Sequence, residues 1–380
     1  MRALCWACIN NSAKVDWLEV MLNNCSDWVE TPVGHDRRLS MRKSTAIAFF
    51  GFFLFALFSG SLRSWSQSNA DPKLVEEAKR EREVVWYTTT SLETSKKISD
   101  VFQSKYPSIK ITLYRTGVAP LTSRILLEAR TGRYEWDVVG GGGELFVPLM
   151  DAKLIVPYRS AEAKMIDDDL VDRQNYWTAY TVTPFVLGFN TNMVKKQEVP
   201  KTYEGLLDPK WKGHKIGVDV SAGVLHALMP LWGKEKAISY FRQLAAQAPS
   251  PIDGTSIIAQ LLSAGEFPLA FGSAHLFELL SRKGAPVDWL PLEPVVTRVV
   301  PTMLAAKPRH PNAGKLLYDF LIAKEGQEIV KTFNRIPVRR DVLPDPPRLL
   351  QGYKRVIMYP ELYKNLPDTQ KLYNEMFHLR

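Results

Sequence analysis

Val84-Val85-Trp86-Tyr87-Thr88-Thr89-Thr90-Ser91-Leu92-Glu93 changes character in its middle. Its first four residues are β-branched or aromatic and read as a buried strand. Four hydroxyl-bearing residues follow, and Thr90 stands three before Glu93, the spacing of a capping box that opens a helix. Ile98, Val101 and Phe102 carry that helix on one apolar face, and Pro107 ends it. A strand feeding a helix through a short hydroxyl-bearing turn is half of a βαβ unit. It predicts an α/β fold with a mostly parallel sheet and helices on its faces.

The alternation continues downstream. Residues 109–114 alternate apolar with polar as a strand; Leu121, Ile125, Leu126 and Ala129 mark a second helix closed near Gly132. Trp136-Asp137-Val138-Val139 is a third strand that runs into Gly140-Gly141-Gly142-Gly143. A second cycle reads as an extended run at 183–190, a strand at 215–220, and helices at 224–232, 234–246 and 257–264. A strand at 268–271 follows, then one at 299–305, a helical region at 313–333, and a proline-rich tail ending in a helix at 368–377. No repeat of solenoid period and no low-complexity tract interrupts this order.

At 380 residues the chain has room for two domains, and 46% apolar with 23% charged residues is a globular composition. The net charge of +9 is spread among acids, with no Lys/Arg block of the kind that binds nucleic acid. Cys5, Cys8 and Cys25 all lie at the amino end, so residues 26–380 hold no thiol. The lone Cys5–Cys8 pair lacks a second pair to complete a zinc site. Met41-Arg42-Lys43 begins a basic segment, residues 46–58 (AIAFFGFFLFALF) are apolar, and Ser59, Gly60, Ser64, Ser66 and Ala70 follow. That order is a secretory signal at 41–70, cut near Ser66 or Ala70, with 1–40 an upstream mis-annotation and the mature protein periplasmic. The apolar run is short for a membrane span, but Leu62 and Trp65 extend it a little, so an uncleaved anchor is the competing reading. No cysteine in 59–70 offers a lipid anchor.

Pro200-Lys201-Thr202-Tyr203-Glu204-Gly205-Leu206-Leu207-Asp208-Pro209-Lys210-Trp211-Lys212-Gly213, preceded by Gly188-Phe189-Asn190-Thr191, resembles a long motif of the family 1 extracellular solute-binding proteins of ABC importers. That group contains ferric-ion-binding proteins, and its motif runs "YNT" and then "P-x-T-Y-x-x-L-x-D-P-x-W-K-G". Asp137-Val138-Val139 with Leu149-Met150-Asp151-Ala152-Lys153-Leu154-Ile155 is similar to the family's "DV…A-x-x-G-L-L". Pro311-Asn312-Ala313 through Phe320-Leu321 to Glu325-Gly326-Gln327 is similar to its "P-N-x-A…F-L-x-S-x-E-G-Q" helix. The resemblance runs from about residue 83 to 340. It implies a type II periplasmic-binding-protein fold: lobe 1 from 83–187 plus 275–340, lobe 2 from 188–274, and hinges near 189–192 and Gly272, before a C-terminal tail at 341–380. It also implies a small-molecule solute held between lobes, a membrane permease as partner, and a monomer.

Ligands of open α/β sheets bind beyond the carboxyl ends of strands, where helix N-termini present free N–H groups. Thr88, Thr89, Thr90 and Ser91 form such a turn, although a plain N-cap explains Thr90 equally well. Gly141 and Gly142 with Glu144 form another, either a close backbone approach to a ligand or a flexible turn. Ser221, and Thr255 with Ser256, stand at helix starts farther on, and Ser273 and His275 follow a later strand. A lone histidine is ordinarily structural; the resemblance is what raises His275. Tyr180 and Arg115 are weaker candidates. The best-known ferric-binding members supply two adjacent tyrosines, whereas this chain carries Ser273-Ala274-His275 at that place and no adjacent tyrosines anywhere. An anionic organic solute therefore fits better than directly coordinated iron; iron carried as a chelate or held by scattered ligands is the alternative, and neither a two-tyrosine metal site nor a cofactor is expected. No GxSxG, HExxH or downstream cysteine offers catalysis, so a binding role is expected and an enzymatic one is not. The same fold also serves sensor systems, the alternative to a permease.

Overall fold

The computed structural model describes residues 70–379. The proposed signal segment up to residue 69, the three cysteines and residues 1–40 lie outside them. Helix α1 (Pro72–Glu81) opens the fold; the Asp71 side chain accepts from the Lys73 N–H at 2.9 Å and Pro72 occupies the first turn. It precedes the first recognised strand and had no counterpart in the alternation. The chain then forms β1 (Glu83–Thr88), α2 (Leu92–Lys105), β2 (Lys110–Arg115), α3 (Val118–Arg130), β3 (Val138–Gly140), α4 (Phe146–Asp151) and β4 (Ile155–Val156). A long strand β5 (Thr178–Asn190) leads to β6 (Ile216–Asp219), α5 (Gly223–Trp232), α6 (Lys234–Ala246), β7 (Ser250–Ile252) and α7 (Thr255–Ala264). Then come β8 (Leu269–Ser273), α8 (Ala274–Arg282), β9 (Val287–Leu290), β10 (Val295–Ala305), α9 (Pro311–Ile322), α10 (Lys324–Thr332), β11 (Arg355–Met358) and α11 (Leu366–Phe377).

The strands run in the order β2-β1-β3-β10-β5-β8-β6-β7, with β4 and β11 beside β10 and β9 beside β5. The outer pairs of both halves, β1 with β2 and β3, and β6 with β7 and β8, are parallel, as βαβ crossovers require. The middle is antiparallel, because β5 and β10 carry the chain across and back. Within β5, Thr178–Pro184 pair with β10, and from Phe185 onward the partners are β8 and β9. One strand thus belongs to both halves.

Two core clusters hold the fold, the first reaching into the second half through Ile258, Leu262 and Phe277. Trp86, Ile98, Phe102, Ile125, Leu316 and Leu317 fill the first; Phe185, Tyr203, Trp211, Leu225, Phe241 and Phe377 fill the second. Burying one such large side chain contributes about 1.5–3 kcal/mol. The long 200–213 motif is a builder of this second core. The ring of Tyr203 packs against Trp232, Tyr240 and Phe271, and the Tyr240 hydroxyl donates to the Tyr203 carbonyl at 2.8 Å. Asp208 accepts from the Lys210 N–H and caps the turn that buries Trp211. The proline-rich tail is ordered into the fold: β11 lies parallel to β10, and α11 packs on the second core through Tyr373 and Phe377. Among the described residues no helix is long and apolar enough to cross a membrane.

Candidate functional site

Where the halves meet, the carboxyl ends of β1 and β3 face the amino ends of α7 and α8 across a cavity of about 330 Å³. That volume is at the small end of the usual range of ligand pockets. Nine of the fourteen residues singled out from the sequence line it: Thr89, Thr90, Gly142, Glu144, Tyr180, Thr255, Ser256, Ser273 and His275. First turns of α2, α3, α7 and α8 reach its wall through Thr94, Val118, Thr255 with Ser256, and His275. Their unfilled N–H groups give that wall positive partial charge.

The turn after β1 is knitted to the one after β3. The Thr89 N–H donates to the Gly140 carbonyl at 3.0 Å, and the Gly142 N–H donates to the Thr89 hydroxyl at 3.2 Å. Helix α2 begins one residue later than the capping-box spacing predicts. Ser91 is its N-cap and makes no side-chain cap bond, its hydroxyl pairing instead with Thr94 at 2.8 Å. The Thr90 hydroxyl points the other way, into a short hydrogen bond with the Tyr180 hydroxyl. Burial pushes the Tyr180 phenol up to about 12. Thr88 is fully buried, and its hydroxyl accepts from the Thr90 N–H at 3.1 Å. Thr88 and Ser91 therefore shape the turn without lining the cavity. Arg115 supports the turn from behind, donating to the Thr90 carbonyl at 3.2 Å.

The glycine run is built for close approach, but its neighbours are the protein's own side chains. A Cβ on Gly141 would lie 2.6 Å from the Thr89 hydroxyl, and one on Gly143 would lie 2.7 Å from the Tyr363 ring. Gly141 is closed off by Thr89, whereas Gly142 and Gly143 reach the cavity. From the second half, Ser221 also stays off the wall, because its hydroxyl accepts from the Gly223 N–H at 3.3 Å and from Arg298 at 3.2 Å. The hydroxyls of Thr255, Ser256 and Ser273 make no hydrogen bond among the described residues.

A profile of the family described as "Bacterial extracellular solute-binding protein" matches residues 141–355. The chain belongs to that family. Among curated relatives of this solute-binding protein, an uncharacterized protein of Haemophilus influenzae is 27% identical over 296 residues, spanning 72% of this chain and 80% of the relative. The crystal structure of iron-bound HitA from Pseudomonas aeruginosa superposes with a TM-score of 0.68 at 19% identity, covering 77% of this chain and 99% of that one. AfuA from Actinobacillus pleuropneumoniae, with fructose-6-phosphate bound, gives 0.63 at 23% identity, covering 77% and 97%. These likenesses establish the type II periplasmic-binding-protein fold.

Among the wall residues of the solute-binding protein that escaped the sequence reading are two arginines. Arg298 lies on β10, its guanidinium 4.4 Å over the Phe185 ring, with its Nε buried and unpartnered. Arg335 follows α10 and donates to His275 Nε2 at 3.2 Å. Neither makes an ion pair among the described residues. A signal for Arg298 was present: it is the only charged residue in the β-branched run 295–300, where a buried strand tolerates none without purpose. Arg335 sits in an irregular segment with no such contrast. His275 is buried, and its burial, with Arg335 adding to the effect, pushes it down to about 3. It is neutral, accepts on Nε2, and carries its proton on Nδ1, which has no partner among the described residues. Glu144 is the only carboxylate among the wall residues.

Proposed function

We propose that this chain is the exported, monomeric binding component of an ABC importer, closing two lobes over a small anionic solute and delivering it to a permease in the inner membrane. The wall charges carry this reading: two guanidiniums and four helix N-termini surround the cavity against one carboxylate. Lobe 1 would hold 83–187 and 275–340, and lobe 2 188–274. The pairing of β9 with β5 favours moving the return crossing to the connection between β9 and β10. Export would remove the segment after Met41, so the mature chain begins between Gln67 and Asp71. The role is capture, with no catalytic step.

HitA is described with iron and AfuA with fructose-6-phosphate. The cavity favours the second kind of cargo. Ferric iron needs anionic oxygen ligands, whereas burial raises both wall phenols, Tyr180 and Tyr363, and so disfavours their phenolate forms. Two arginines without an ion pair among the described residues also repel a trivalent cation. Native mass spectrometry of the protein taken from its own periplasm should find one small anionic solute bound. A salmon-coloured protein holding one ferric ion, with a phenolate charge-transfer band, would overturn this in favour of iron.

A further inference from the structure

The wall charges say more about the solute than its sign. We propose that it is an organic dianion whose two anionic groups are separated, one taken by Arg298 and the other by Arg335. This rests on reading the cavity as the solute site.

The two arginines enter from opposite sides of β5. Arg298 pairs with Thr183 on one edge, and Ile336, next to Arg335, bridges Val182 on the other. Two strand spacings put their backbones roughly 10 Å apart. Their anchors also differ. Arg298 lies over Phe185 toward Ser221, in the turn after β6, while Arg335 is tied to His275 at the start of α8. Both anchors are uncharged: a hydroxyl and a ring on one side, a neutral imidazole on the other. They orient each guanidinium without neutralising it and leave donors to spare, including the buried Nε of Arg298. A cation in a partly desolvated wall is costly without a counter-charge. The protein supplies none to either arginine within ion-pairing distance among the described residues. A planar guanidinium matches a carboxylate or phosphate through two parallel N–H bonds, so each can take a whole anionic group. Glu144 accepts no hydrogen bond among the described residues. It faces the cavity as an acceptor for a hydroxyl or ammonium of the same solute.

The test uses a matched pair. 3-Phosphoglycerate carries a phosphate and a carboxylate; glycerol 3-phosphate carries the phosphate alone. By calorimetry on the mature protein, 3-phosphoglycerate should bind at least about tenfold more tightly, the worth of one charged hydrogen-bonded contact. Arg298→Gln and Arg335→Gln should each weaken it about ten- to a hundredfold. One of the two should leave glycerol 3-phosphate unchanged, provided both variants keep the wild-type melting temperature. Equal affinity for the two probes, or equal loss of glycerol 3-phosphate in both variants, would mean that the arginines converge on one group and would overturn the proposal. If neither probe binds, the solute recovered by native mass spectrometry decides: two separated anionic groups support it, and one or none overturns it while solute binding stands. Recovery of no solute, with no binding by either probe, would sink both readings.

Discussion

His275 and Asp137 show how differently two buried groups are handled. Asp137 is fully buried yet satisfied: its carboxylate accepts from the Val85 N–H, the His310 N–H and His310 Nδ1, all at 2.8 Å. The Asp-Val-Val motif therefore marks a brace between β1, β3 and the entry to α9, and the carboxylate plays no part in the cavity. His275 is left with an unpartnered Nδ1–H and a neighbouring cation, so its protonated form is excluded from the fold. The consequence for stability has a definite sign. The histidine titrates near its ordinary 6.5 when unfolded and near 3 when folded. Between those values the unfolded chain binds a proton that the native one does not, so stability falls as pH drops, by about 1.4 kcal/mol per pH unit. Asp319 acts in the opposite direction, because burial raises it to about 6 and folding then favours its protonated form as pH falls below that value. A difference measurement isolates the histidine. Urea unfolding of wild type and His275→Gln should diverge by about 2–3 kcal/mol between pH 7 and 4.5, the wild type losing more. Parallel pH profiles would show that His275 is protonated in the fold.

Helix α10 and the segment behind it show an element whose job is to place one side chain. Gln327, the last residue of the Glu-Gly-Gln motif, is fully buried. Its amide donates to the carbonyls of Tyr180 and Leu321 at 2.8 Å and accepts from the Val338 N–H at 2.7 Å. The Thr181 hydroxyl donates to the Ile336 carbonyl at 2.8 Å, so residues 335–338 are pinned to β5 from two sides. Gln327→Ala should cost about 2–4 kcal/mol, from several orphaned buried groups. It should also speed amide exchange at Val338, and unchanged exchange there would deny the clamp. Most helices of this fold were legible because each is written locally, although α1, α4 and α8 were not recognised. The helical period of apolar residues placed α6 at 234–246, where it is observed, and α5 and α7 were placed within two residues. What escaped is non-local. β5 begins at Thr178, five residues before the extended run recognised at 183, because buried strands lack alternation. The tail after Pro337 carries breaker composition, yet β11 finds its partner in residues 295–298, a pairing with no local signal. The site was legible on the same terms. Hydroxyl turns at helix starts identified part of the wall, whereas Arg335 became visible only when its irregular segment was pinned against β5, and Arg298 was marked only by its charge within a β-branched run.

At the scale of the whole molecule, the cavity belongs to neither half alone. Thr89, Thr90 and Glu144 come from the turns after β1 and β3, and Thr255 and Ser256 from the start of α7, with β5 running through both sheets behind them. The C-terminal segment links the same two halves. The indole of Trp177 donates to Glu361 at 2.7 Å, the Tyr363 ring lies against Gly143, and Tyr373 donates to the Asp219 carbonyl at 2.9 Å. A solute held this way must be gripped from both sides. Removing one hydrogen bond to a charged solute group from either side should weaken binding by about 1.5–3 kcal/mol, ten- to a hundredfold. Thr89→Ala removes a donor on the first half and Ser256→Ala one on the second. Both should lower affinity in calorimetry with the solute recovered from the native protein. Ser256 makes no hydrogen bond among the described residues, so its loss should leave the melting temperature of the empty protein unchanged. Thr89 accepts from Gly142, so its variant should lose about 1 kcal/mol of stability as well. Closure is a hinge motion about the shared strand, and the solute should therefore also reduce the radius of gyration in small-angle scattering. If Thr89→Ala abolishes binding while Ser256→Ala leaves it untouched, and the radius stays constant, the solute sits on one half and the clamp is wrong.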